Sequence, residues 1–319
     1  MLTKLSIIIP MSRYVFGPVP SRRLGFSLGV DIIPRKYCTF DCIYCQVGRT
    51  TEKTVLRSSF VDPNDVIDEV IGHIHSRQPI DFVTFSGSGE PTLNKDLGSI
   101  IRALKKRMST PIAVITNGSL LDRPDVRKDL AEADVLMPSL DAVTEDAFVR
   151  INRPAGSVSL ISMIEGLRAL RAEYRGQIWL EIMLIKNIND TSQHLEVLKE
   201  VVTSIGVDKI HLNTVVRPPC EAAAEGISEE RLSEIQDFFG STAEIICGFR
   251  KDHVRSSQEE NWEESILAIL KRRSLTPDDV ARVTGLTRAQ ADEGLIRLLG
   301  EKRVKEHVVD GVLYYVATK

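Results

Sequence analysis

Three cysteines lie close together near the start of the chain, at Cys38, Cys42 and Cys45. Thiolates are the usual ligands of iron–sulfur clusters, and a four-iron cube is normally held by four of them. Three thiolates within eight residues would bind three irons of one cube and leave the fourth iron open. An open coordination position separates a catalytic metal from a closed structural one, so the spacing predicts a reactive cluster.

A zinc site is the alternative to an iron–sulfur cluster at this loop. Structural zinc sites have four Cys or His ligands, which usually arrive as two separated pairs. No histidine lies near this loop in the sequence, and the other two cysteines, Cys220 and Cys247, are distant along the chain. We therefore favour the cluster and expect Cys220 and Cys247 to be ordinary thiols. An auxiliary cluster or a substrate contact at Cys220 stays open.

The cysteine spacing, with Tyr44 directly before the third cysteine, resembles the radical S-adenosylmethionine (radical SAM) superfamily. The resemblance implies a 4Fe–4S cluster whose open iron binds the amino and carboxylate groups of S-adenosylmethionine. It also implies that one electron cleaves the sulfonium and gives a 5′-deoxyadenosyl radical, which abstracts a hydrogen from the substrate. The cofactors supply this chemistry, while the protein binds and orients them and shields the reaction. We expect an electron donor similar to flavodoxin or ferredoxin as a partner.

The segment Ser88-Gly89-Glu90-Pro91 resembles the glycine-glycine-glutamate motif of the same superfamily, with Ser88 in place of the first glycine. Small residues let the backbone come close to the methionine amino group, and the Glu90 carboxylate adds negative charge nearby. Surface turns often have similar sequences. Because the segment follows an apolar run downstream of the cysteines, we assign Ser88, Gly89 and Glu90 to cofactor binding.

Further polar side chains follow the next apolar runs. Asn117 comes after the third run, and Ser139 and Asp141 come after the fourth. The resemblance implies ribose or carboxylate contacts at such positions, and it implies backbone contacts and packing by Tyr44. Each polar residue is also a common turn or cap residue. Asn117, Ser139, Asp141 and Tyr44 complete the predicted cofactor contacts.

Alternating strands and helices would position these residues. The six apolar runs are Leu28–Ile33, Phe82–Phe85, Ile112–Ile115, Val135–Met137, Trp179–Ile185 and Ile210–Val216. Helical spacing of apolar residues predicts helices over residues 66–74, 97–107, 160–170 and 195–202. Such alternation is typical of a parallel sheet buried on both faces, with the active site at the carboxyl ends of the strands. We predict an α/β fold, a partial (β/α)6 barrel of parallel strands that is open at one side for the substrate.

The C-terminal part has a different pattern. Three helical stretches are followed by two apolar runs around Asp310-Gly311, a strong hairpin signal, so we predict a small winged helix-turn-helix domain. Trp262 to Lys319 holds ten Lys/Arg and nine Asp/Glu. Because DNA readers usually present a basic face, we favour RNA or protein docking. The predicted divisions are a tail at 1–16, the radical SAM core at 17–249, a linker at 250–261 and the C-terminal domain at 262–319.

Three stretches narrow the resemblance, Tyr14–Gly25, Ser27–Asp31 and Gly87–Leu93. They are similar to a subgroup related to the wybutosine-synthesis radical SAM enzymes, which act on a tRNA guanine. Those enzymes carry cysteines ahead of the core for a second cluster, and this chain has none before Cys38. The resemblance therefore points to a tRNA substrate, but wybutosine chemistry itself is not expected.

The bulk composition limits the partners. The net charge of −3 gives no general attraction to nucleic acid or to a membrane. A local basic rim at Arg22, Arg23, Arg35 and Lys36 could meet a phosphate-bearing substrate, or these side chains pair with nearby carboxylates. Five cysteines with three in one cluster favour a reducing compartment, and the apolar run in residues 1–10 is too short for a signal peptide or a membrane span. We expect a cytoplasmic protein without membrane contact.

Three functions follow from these patterns. The leading hypothesis is an oxygen-sensitive radical SAM enzyme that modifies a macromolecule, with a tRNA nucleobase as the first choice. The alternative is radical modification or activation of a protein or peptide. The third is an iron–sulfur regulator that binds DNA, which is disfavoured because a sensor does not need Gly89 and Glu90 at a barrel mouth.

Overall fold

The structure, a computed structural model, describes residues 13–21, 23–75, 80–246, 262–309 and 311–318. The predicted linker at 250–261 lies outside the described residues, as do Arg22, Cys247 and Asp310. Within the described ranges, no helix is both long and apolar enough to cross a membrane. The domain boundaries stay a prediction.

A sheet of eight strands forms the centre of the molecule. Over the described residues, including two smaller sheets of two strands each, β3–β4 and β11–β12, the strands are β1 (Val15–Ser21), β2 (Gly25–Val30), β3 (Tyr37–Cys38), β4 (Glu52–Lys53), β5 (Phe82–Phe85), β6 (Ile112–Thr116), β7 (Val135–Pro138), β8 (Gln177–Leu184), β9 (Lys209–Thr214), β10 (Ala243–Ile245), β11 (Val304–Val309) and β12 (Val312–Ala317). The central order is β1-β2-β5-β6-β7-β8-β9-β10. Only β1 and β2 pair antiparallel within this sheet, so this is an α/β fold with a mostly parallel sheet.

Helices connect the strands and cover the sheet. They are α1 (Pro63–Ile74), α2 (Leu97–Arg107), α3 (Pro124–Leu130), α4 (Glu145–Asn152), α5 (Leu160–Glu173), α6 (Ser192–Ile205), α7 (Glu229–Phe239), α8 (Trp262–Leu270), α9 (Pro277–Thr284) and α10 (Arg288–Gly300). The four helices predicted between the strands are confirmed as α1, α2, α5 and α6. In α1 the Asp62 side chain accepts from the backbone N–H of Asn64, and Pro63 occupies the first turn, where its missing N–H costs nothing.

The sequence patterns missed both edges of the sheet and shifted one strand. β1 and β10 were not predicted, and β2 begins and ends three residues before the predicted run Leu28–Ile33. The antiparallel pairing with β1 fixes this register. Val15 and Phe16, at the end of the predicted tail of residues 1–16, are buried in β1.

The sheet curls into a partial barrel whose amino-terminal end is closed. Leu24, between β1 and β2, packs in one buried cluster with Met137 of β7 and Trp179 of β8. The neighbouring Arg23 pairs with Glu181 of β8. In a flat sheet β2 and β8, four strands apart, would be separated by about 19 Å, so the sheet must curve. Because Trp179 lies near the start of β8, the open end is the one at the carboxyl ends of the strands.

The C-terminal unit consists of α8, α9, α10 and the antiparallel hairpin β11–β12, which confirms the predicted helices and hairpin. α9 starts with a capping box between Thr276 and Asp279 and ends at Gly285, which has a φ of +73°. The apolar side chains of this unit share one core with Phe16 and Val19 of β1. The C-terminal unit is therefore packed directly on the edge of the sheet.

Candidate cofactor site

The three cysteines lie on a loop at the carboxyl end of the sheet. Cys38 belongs to β3, which pairs with β4, and the backbone N–H of Cys45 donates to the carbonyl of Cys42 at 3.2 Å. The backbone N–H of Ile43 donates to Ile151 of α4 at 3.0 Å. These backbone bonds hold the loop against an element that the sequence did not predict.

One hydrogen-bond donor approaches each cysteine sulfur. The pairs are Lys36 Nζ to Cys45 Sγ at 3.2 Å, Asn152 Nδ2 to Cys42 Sγ at 3.5 Å and Asn117 Nδ2 to Cys38 Sγ at 3.6 Å. Donors around the sulfurs stabilise anionic thiolates and tune the potential of a cluster that they hold. One cation and two amides around three thiols therefore fit an anionic iron–sulfur cluster.

Burial favours the neutral thiol at two of the three cysteines when no metal is bound, Cys38 and Cys42. Desolvation raises the pKa of Cys38 to about 12, and the nearby Glu90 carboxylate acts in the same direction. Burial also raises the pKa of Cys42 well above its usual value, so metal binding must release protons. Among the described residues, no three Cys, His, Asp or Glu side chains converge on a single metal ion. A cube makes a different demand, since each thiolate binds its own iron.

The loop with Ser88, Gly89 and Glu90 packs tightly on the cysteine loop. A Cβ at Gly89 would lie 1.9 Å from the carbonyl oxygen of Tyr37, and the backbone N–H of Glu90 donates to that oxygen at 3.1 Å. Glycine is thus required by the contact between the two loops, besides any approach to a cofactor. Ser88 donates from its hydroxyl to Asp31 at 2.6 Å.

The Glu90 carboxylate is buried and accepts several internal hydrogen bonds. Its donors are the backbone N–H of Thr92 at 3.1 Å, Thr92 Oγ1 at 2.7 Å, Thr116 Oγ1 at 2.6 Å and the backbone N–H of Asn117 at 2.7 Å. Burial raises the pKa of Glu90, although these hydrogen bonds oppose the rise. In this geometry Glu90 joins the loop after β5 to the end of β6, and so it holds Asn117 beside Cys38.

A second buried carboxylate lies on the other side of the cysteine loop. Asp141 accepts from Tyr44 OH at 2.6 Å, from Asn152 Nδ2 at 2.8 Å and from the backbone N–H of Met183 at 2.9 Å. Burial raises the pKa of Asp141 to about 6. Ser139 joins the same strand end through its backbone N–H, which donates to the Thr116 carbonyl at 3.1 Å.

The predicted site residues therefore divide into two groups around the cysteines. Ser88, Gly89, Glu90 and Asn117 lie on the side of Cys38, and Tyr44 and Asp141 lie on the side of Cys42. The sequence missed Asp31, Asn152 and the inward role of Lys36. Asp31 was placed inside a strand, and Asn152 ends a helix that was not predicted.

The predicted basic rim is only partly exposed. Arg23 and Lys36 turn inward, to Glu181 and to Cys45, whereas Arg35 is exposed. Lys36 has a φ of +61°, a left-handed conformation that turns the chain at this point. A cation can be recognised in a sequence, but whether its side chain points inward depends on such backbone turns.

A charged layer lies inside the barrel below the cysteine loop. Burial opposes the ionisation of Glu181, but Arg23 and an amide hydrogen bond from Asn213 at 2.8 Å outweigh it and lower its pKa. His211 is 1% exposed and stacks edge to face with Trp179. Burial lowers the pKa of His211 to about 4.

Cys220 lies near the cysteine loop in space. The backbone N–H of its neighbour Glu221 donates to the Ile43 carbonyl at 3.0 Å, and the Glu221 carboxylate pairs with Arg153 at 3.0 Å. Burial raises the pKa of Cys220, and its electrostatic interaction with the nearby Cys45 acts in the same direction. An ordinary thiol at Cys220 stays a prediction.

Comparison with known proteins decides the family. The family model of the radical SAM superfamily matches residues 32–200, which include the three cysteines, the Ser88–Glu90 loop and Asp141. The chain belongs to the radical SAM superfamily. This radical SAM protein is 34% identical to a UPF0026 protein of Methanocaldococcus jannaschii over 311 residues, which cover 94% of this chain and 95% of the relative.

Another relative is much longer. A protein of Brachyspira hyodysenteriae named GTPase Obg is 35% identical over 306 residues, which are 95% of this chain but only 45% of the relative. Among solved structures, a radical SAM methyltransferase from Sphaerobacter thermophilus aligns with a TM-score of 0.54 at 18% identity, over 69% of this chain and 65% of that one. At this identity the likeness shows the fold alone.

Membership of the superfamily gives this protein its class of chemistry. It is an enzyme with an iron–sulfur cluster, and its reaction is the radical chemistry that starts from S-adenosylmethionine. The relatives do not define the substrate, since the UPF0026 name states none.

Proposed function

We propose that this radical SAM enzyme modifies a macromolecule and that its substrate is a tRNA nucleobase. The observation that carries the enzymatic part is the set of three donors, one on each cysteine sulfur, at the carboxyl ends of the strands. The tRNA part is supported by the subgroup resemblance of residues 14–31 and 87–93. The electron comes from a donor similar to flavodoxin or ferredoxin.

Cys38, Cys42 and Cys45 would hold the cluster. When bound, the cluster would supply the one electron that cleaves S-adenosylmethionine into methionine and a 5′-deoxyadenosyl radical, and this radical would take a hydrogen atom from the substrate. Lys36 and Asn152 stabilise the negative charge on the sulfurs, because their N–H groups point at Cys45 and Cys42.

The two groups of buried polar residues orient what the cysteines hold. Glu90 fixes the Asn117 backbone by a 2.7 Å hydrogen bond, and Asn117 in turn donates to Thr39 at 2.7 Å. Tyr44 is held by Asp141 at 2.6 Å. We place the methionine part of S-adenosylmethionine at Ser88 and Gly89, and the ribose near Ser139 and Asp141.

The cofactor assignment is tested with protein that has been reconstituted without air. Wild-type protein with a reductant should release 5′-deoxyadenosine, and Cys42→Ala should lose both the cluster absorption and the product. Cys220→Ala is the matched control, and it should keep both. Zinc in place of iron in the wild-type protein, or product from Cys42→Ala, would contradict the assignment.

We also propose that the C-terminal unit is a winged helix that docks the RNA substrate. A pocket of about 330 Å³ lies between this unit and the barrel, and its lining includes Arg13, Arg35 and Lys271 beside the ion pair of Arg272 with Asp31. Cationic side chains bind nucleic acid through the phosphates, which makes binding salt-dependent. Such a pocket would hold the RNA backbone next to the open end of the barrel.

The RNA assignment has its own tests. The double substitution Arg35→Gln with Lys271→Gln should weaken tRNA binding. It should also lower the slope of log affinity against log salt concentration by about one unit for each lost phosphate contact, while Arg297→Gln on α10 should not.

The modification itself is tested by mass spectrometry, in which the tRNA nucleosides of a deletion strain should lack one modification. An unchanged nucleoside profile together with an altered peptide would favour the alternative.

That alternative, a protein or peptide substrate, is favoured by one observation. Three arginines of the C-terminal unit pair with carboxylates of the same unit, Arg288 with Asp278, Arg297 with Glu263 and Arg303 with Glu264. A surface on which both charges alternate suits a protein partner better than a polyanion.

A further inference from the structure

An arginine of the C-terminal unit reaches the loop that we assign to S-adenosylmethionine. Arg272 follows α8, and its Nε donates to Asp31 Oδ2 at 2.7 Å. Asp31 lies just past the end of β2, and its side chain is 4% exposed. A carboxylate buried to this degree needs a countercharge and hydrogen-bond donors. Arg272 supplies the countercharge from 241 residues away along the chain.

The same carboxylate oxygen holds Ser88. Asp31 Oδ2 accepts from the Ser88 hydroxyl at 2.6 Å and from the Ser88 backbone N–H at 3.2 Å. Gly87 has a φ of +144°, and a Cβ there would lie 2.5 Å from the carboxyl carbon of Asp31. The loop is therefore seated directly on Asp31, without room for a side chain at Gly87.

Ser88 is also joined to the cysteine loop. Its carbonyl accepts from the backbone N–H of Lys36 at 2.8 Å, and the Lys36 ammonium reaches Cys45 Sγ at 3.2 Å. A shift of Ser88 would therefore move Lys36, a donor to one of the three sulfurs. The contacts run in order from Arg272 through Asp31 and Ser88 to Lys36.

Arg272 is itself fixed from the side of the C-terminal unit. Its Nη1 donates to the Ala268 carbonyl of α8 at 2.9 Å, and its guanidinium lies 4.7 Å from the centre of the Phe16 ring. Phe16 belongs to the same core as α8, α9 and α10. A guanidinium held by a helix, a ring and a carboxylate keeps a defined position, unlike a solvated surface arginine.

We propose that Arg272 is a positioning residue for the S-adenosylmethionine site, through which docking of the C-terminal unit sets the geometry of the Ser88 loop. This rests on the proposed cofactor role of that loop. Without the guanidinium, the buried Asp31 carboxylate turns toward water and releases Ser88. Because coupling between two sites is reciprocal, a ligand that moves the C-terminal unit changes the affinity for S-adenosylmethionine.

The test compares Arg272→Gln with Arg303→Gln in the full-length protein. Arg303 lies in the same unit, and its ion pairs are with Glu264 at 2.6 Å and Glu301 at 3.8 Å rather than with a residue of the Ser88 loop or with Asp31. In protein without metal, hydrogen exchange of residues 86–90 should be about tenfold faster in Arg272→Gln, since a charge-assisted hydrogen bond is lost. Arg303→Gln should exchange like the wild type.

A second measurement uses reconstituted protein. Arg272→Gln should bind S-adenosylmethionine about tenfold more weakly, as read from the change that the ligand causes in the electron paramagnetic resonance spectrum of the reduced cluster. The iron content should stay at the wild-type level. Arg272→Lys, which keeps the charge but not the planar fork, should recover part of the affinity. Asp31→Asn together with Arg272→Gln should be no worse than Asp31→Asn alone.

The possible outcomes separate the two proposals. Wild-type exchange and wild-type affinity in Arg272→Gln would overturn the positioning role. Additive effects of the Asp31 and Arg272 substitutions, or equal losses in Arg303→Gln, would overturn it too, because they indicate general destabilisation. If wild-type protein does not bind S-adenosylmethionine, the proposed function fails, and the exchange measurement still decides whether Arg272 holds the loop.

Discussion

The barrel interior and the C-terminal unit use charged side chains in opposite ways. Inside the barrel, Arg23 and Glu181 are 16% and 12% exposed and face each other. In the C-terminal unit, Arg288 and Asp278 form a pair in which both side chains are more than half exposed. Removing one partner of a buried pair leaves an uncompensated charge, whereas exposed pairs contribute little.

In this protein the carboxylates with several hydrogen-bond donors lie in the interior. The buried carboxylates Glu90, Asp141, Asp31 and Glu181 each hold several donors around the cysteine loop or the layer below it. In the C-terminal unit, Arg288 and Arg297 stay exposed and Arg303 stays partly exposed, although each forms an ion pair. Substitutions inside the barrel should therefore lower the free energy of unfolding strongly, whereas substitutions of the exposed pairs should lower it little and act mainly on partner binding.

The largest effect is expected for Arg23→Gln. It leaves the Glu181 carboxylate buried without its cation, which should lower the free energy of unfolding by about 3–5 kcal/mol. Urea denaturation of the metal-free protein measures this. The double substitution Arg23→Met with Glu181→Met should recover most of the loss, and a failure to recover would mean that other groups hold Glu181.

The next largest effect is expected for Glu90→Ala, which should lower the free energy of unfolding by about 3 kcal/mol. The substitution leaves the donors of Thr92, Thr116 and Asn117 buried without an acceptor. The same denaturation experiment measures it. The matched control Glu263→Ala removes the partly exposed partner of the exposed Arg297 and should cost less than about 1 kcal/mol. Equal losses in the two variants would remove the distinction between the regions.

The pH dependence of stability tests the interior layer through His211. Burial lowers its folded-state pKa to about 4, from an ordinary value of 6.5. As the pH falls from 6.5 toward 4, the unfolded chain takes up a proton that the folded chain does not, so stability is lost over this window. Between pH 7 and 5 the loss should be about 2 kcal/mol.

His211→Phe should remove that part of the acid dependence, as measured by urea denaturation at both pH values. His307→Gln, at an exposed position of β11, should keep the wild-type slope. A steep slope that persists in His211→Phe would assign the acid lability to other groups.

The smallest effect is expected for Arg297→Gln. Its side chain is 54% exposed, so the pair with Glu263 should contribute below about 1 kcal/mol. A loss above 2 kcal/mol by denaturation would show that the C-terminal unit depends on its surface pairs as the barrel depends on its interior ones.

Local patterns predicted the parts of this fold that depend on neighbours in sequence. The sequence predicts the strand runs, the start of α1 at Asp62-Pro63 and the C-terminal hairpin, because these follow from periodicity, capping and turn chemistry. Three helices were missed, the short α3 and α4 with seven and eight residues and the longer α7 with eleven, which leads to the missed edge strand β10. β1 was missed because its partner surfaces, β2 and the core of the C-terminal unit, are set by the tertiary fold.

The cofactor site divides in the same way. The cysteine spacing and the Ser88-Gly89-Glu90 segment can be identified from residue types alone. The hydrogen-bond partners of these residues cannot be identified in this way, because Asn152 reaches Cys42 from 110 residues away. Lys36, which the sequence places in an exposed basic rim, points at Cys45 instead. A list of residue types does not state which side chains point inward.

The sequence by itself determined the family, the positions of the three thiols and the alternation of strands and helices, because these depend on short-range chemistry. Only the tertiary structure decided that Glu90 and Asp141 are held by internal donors, that Arg23 closes the barrel interior and that Arg272 meets Asp31. Each of these contacts joins segments far apart along the chain. Burial and mutual hydrogen bonding, which give such contacts their strength, exist only once the chain has folded.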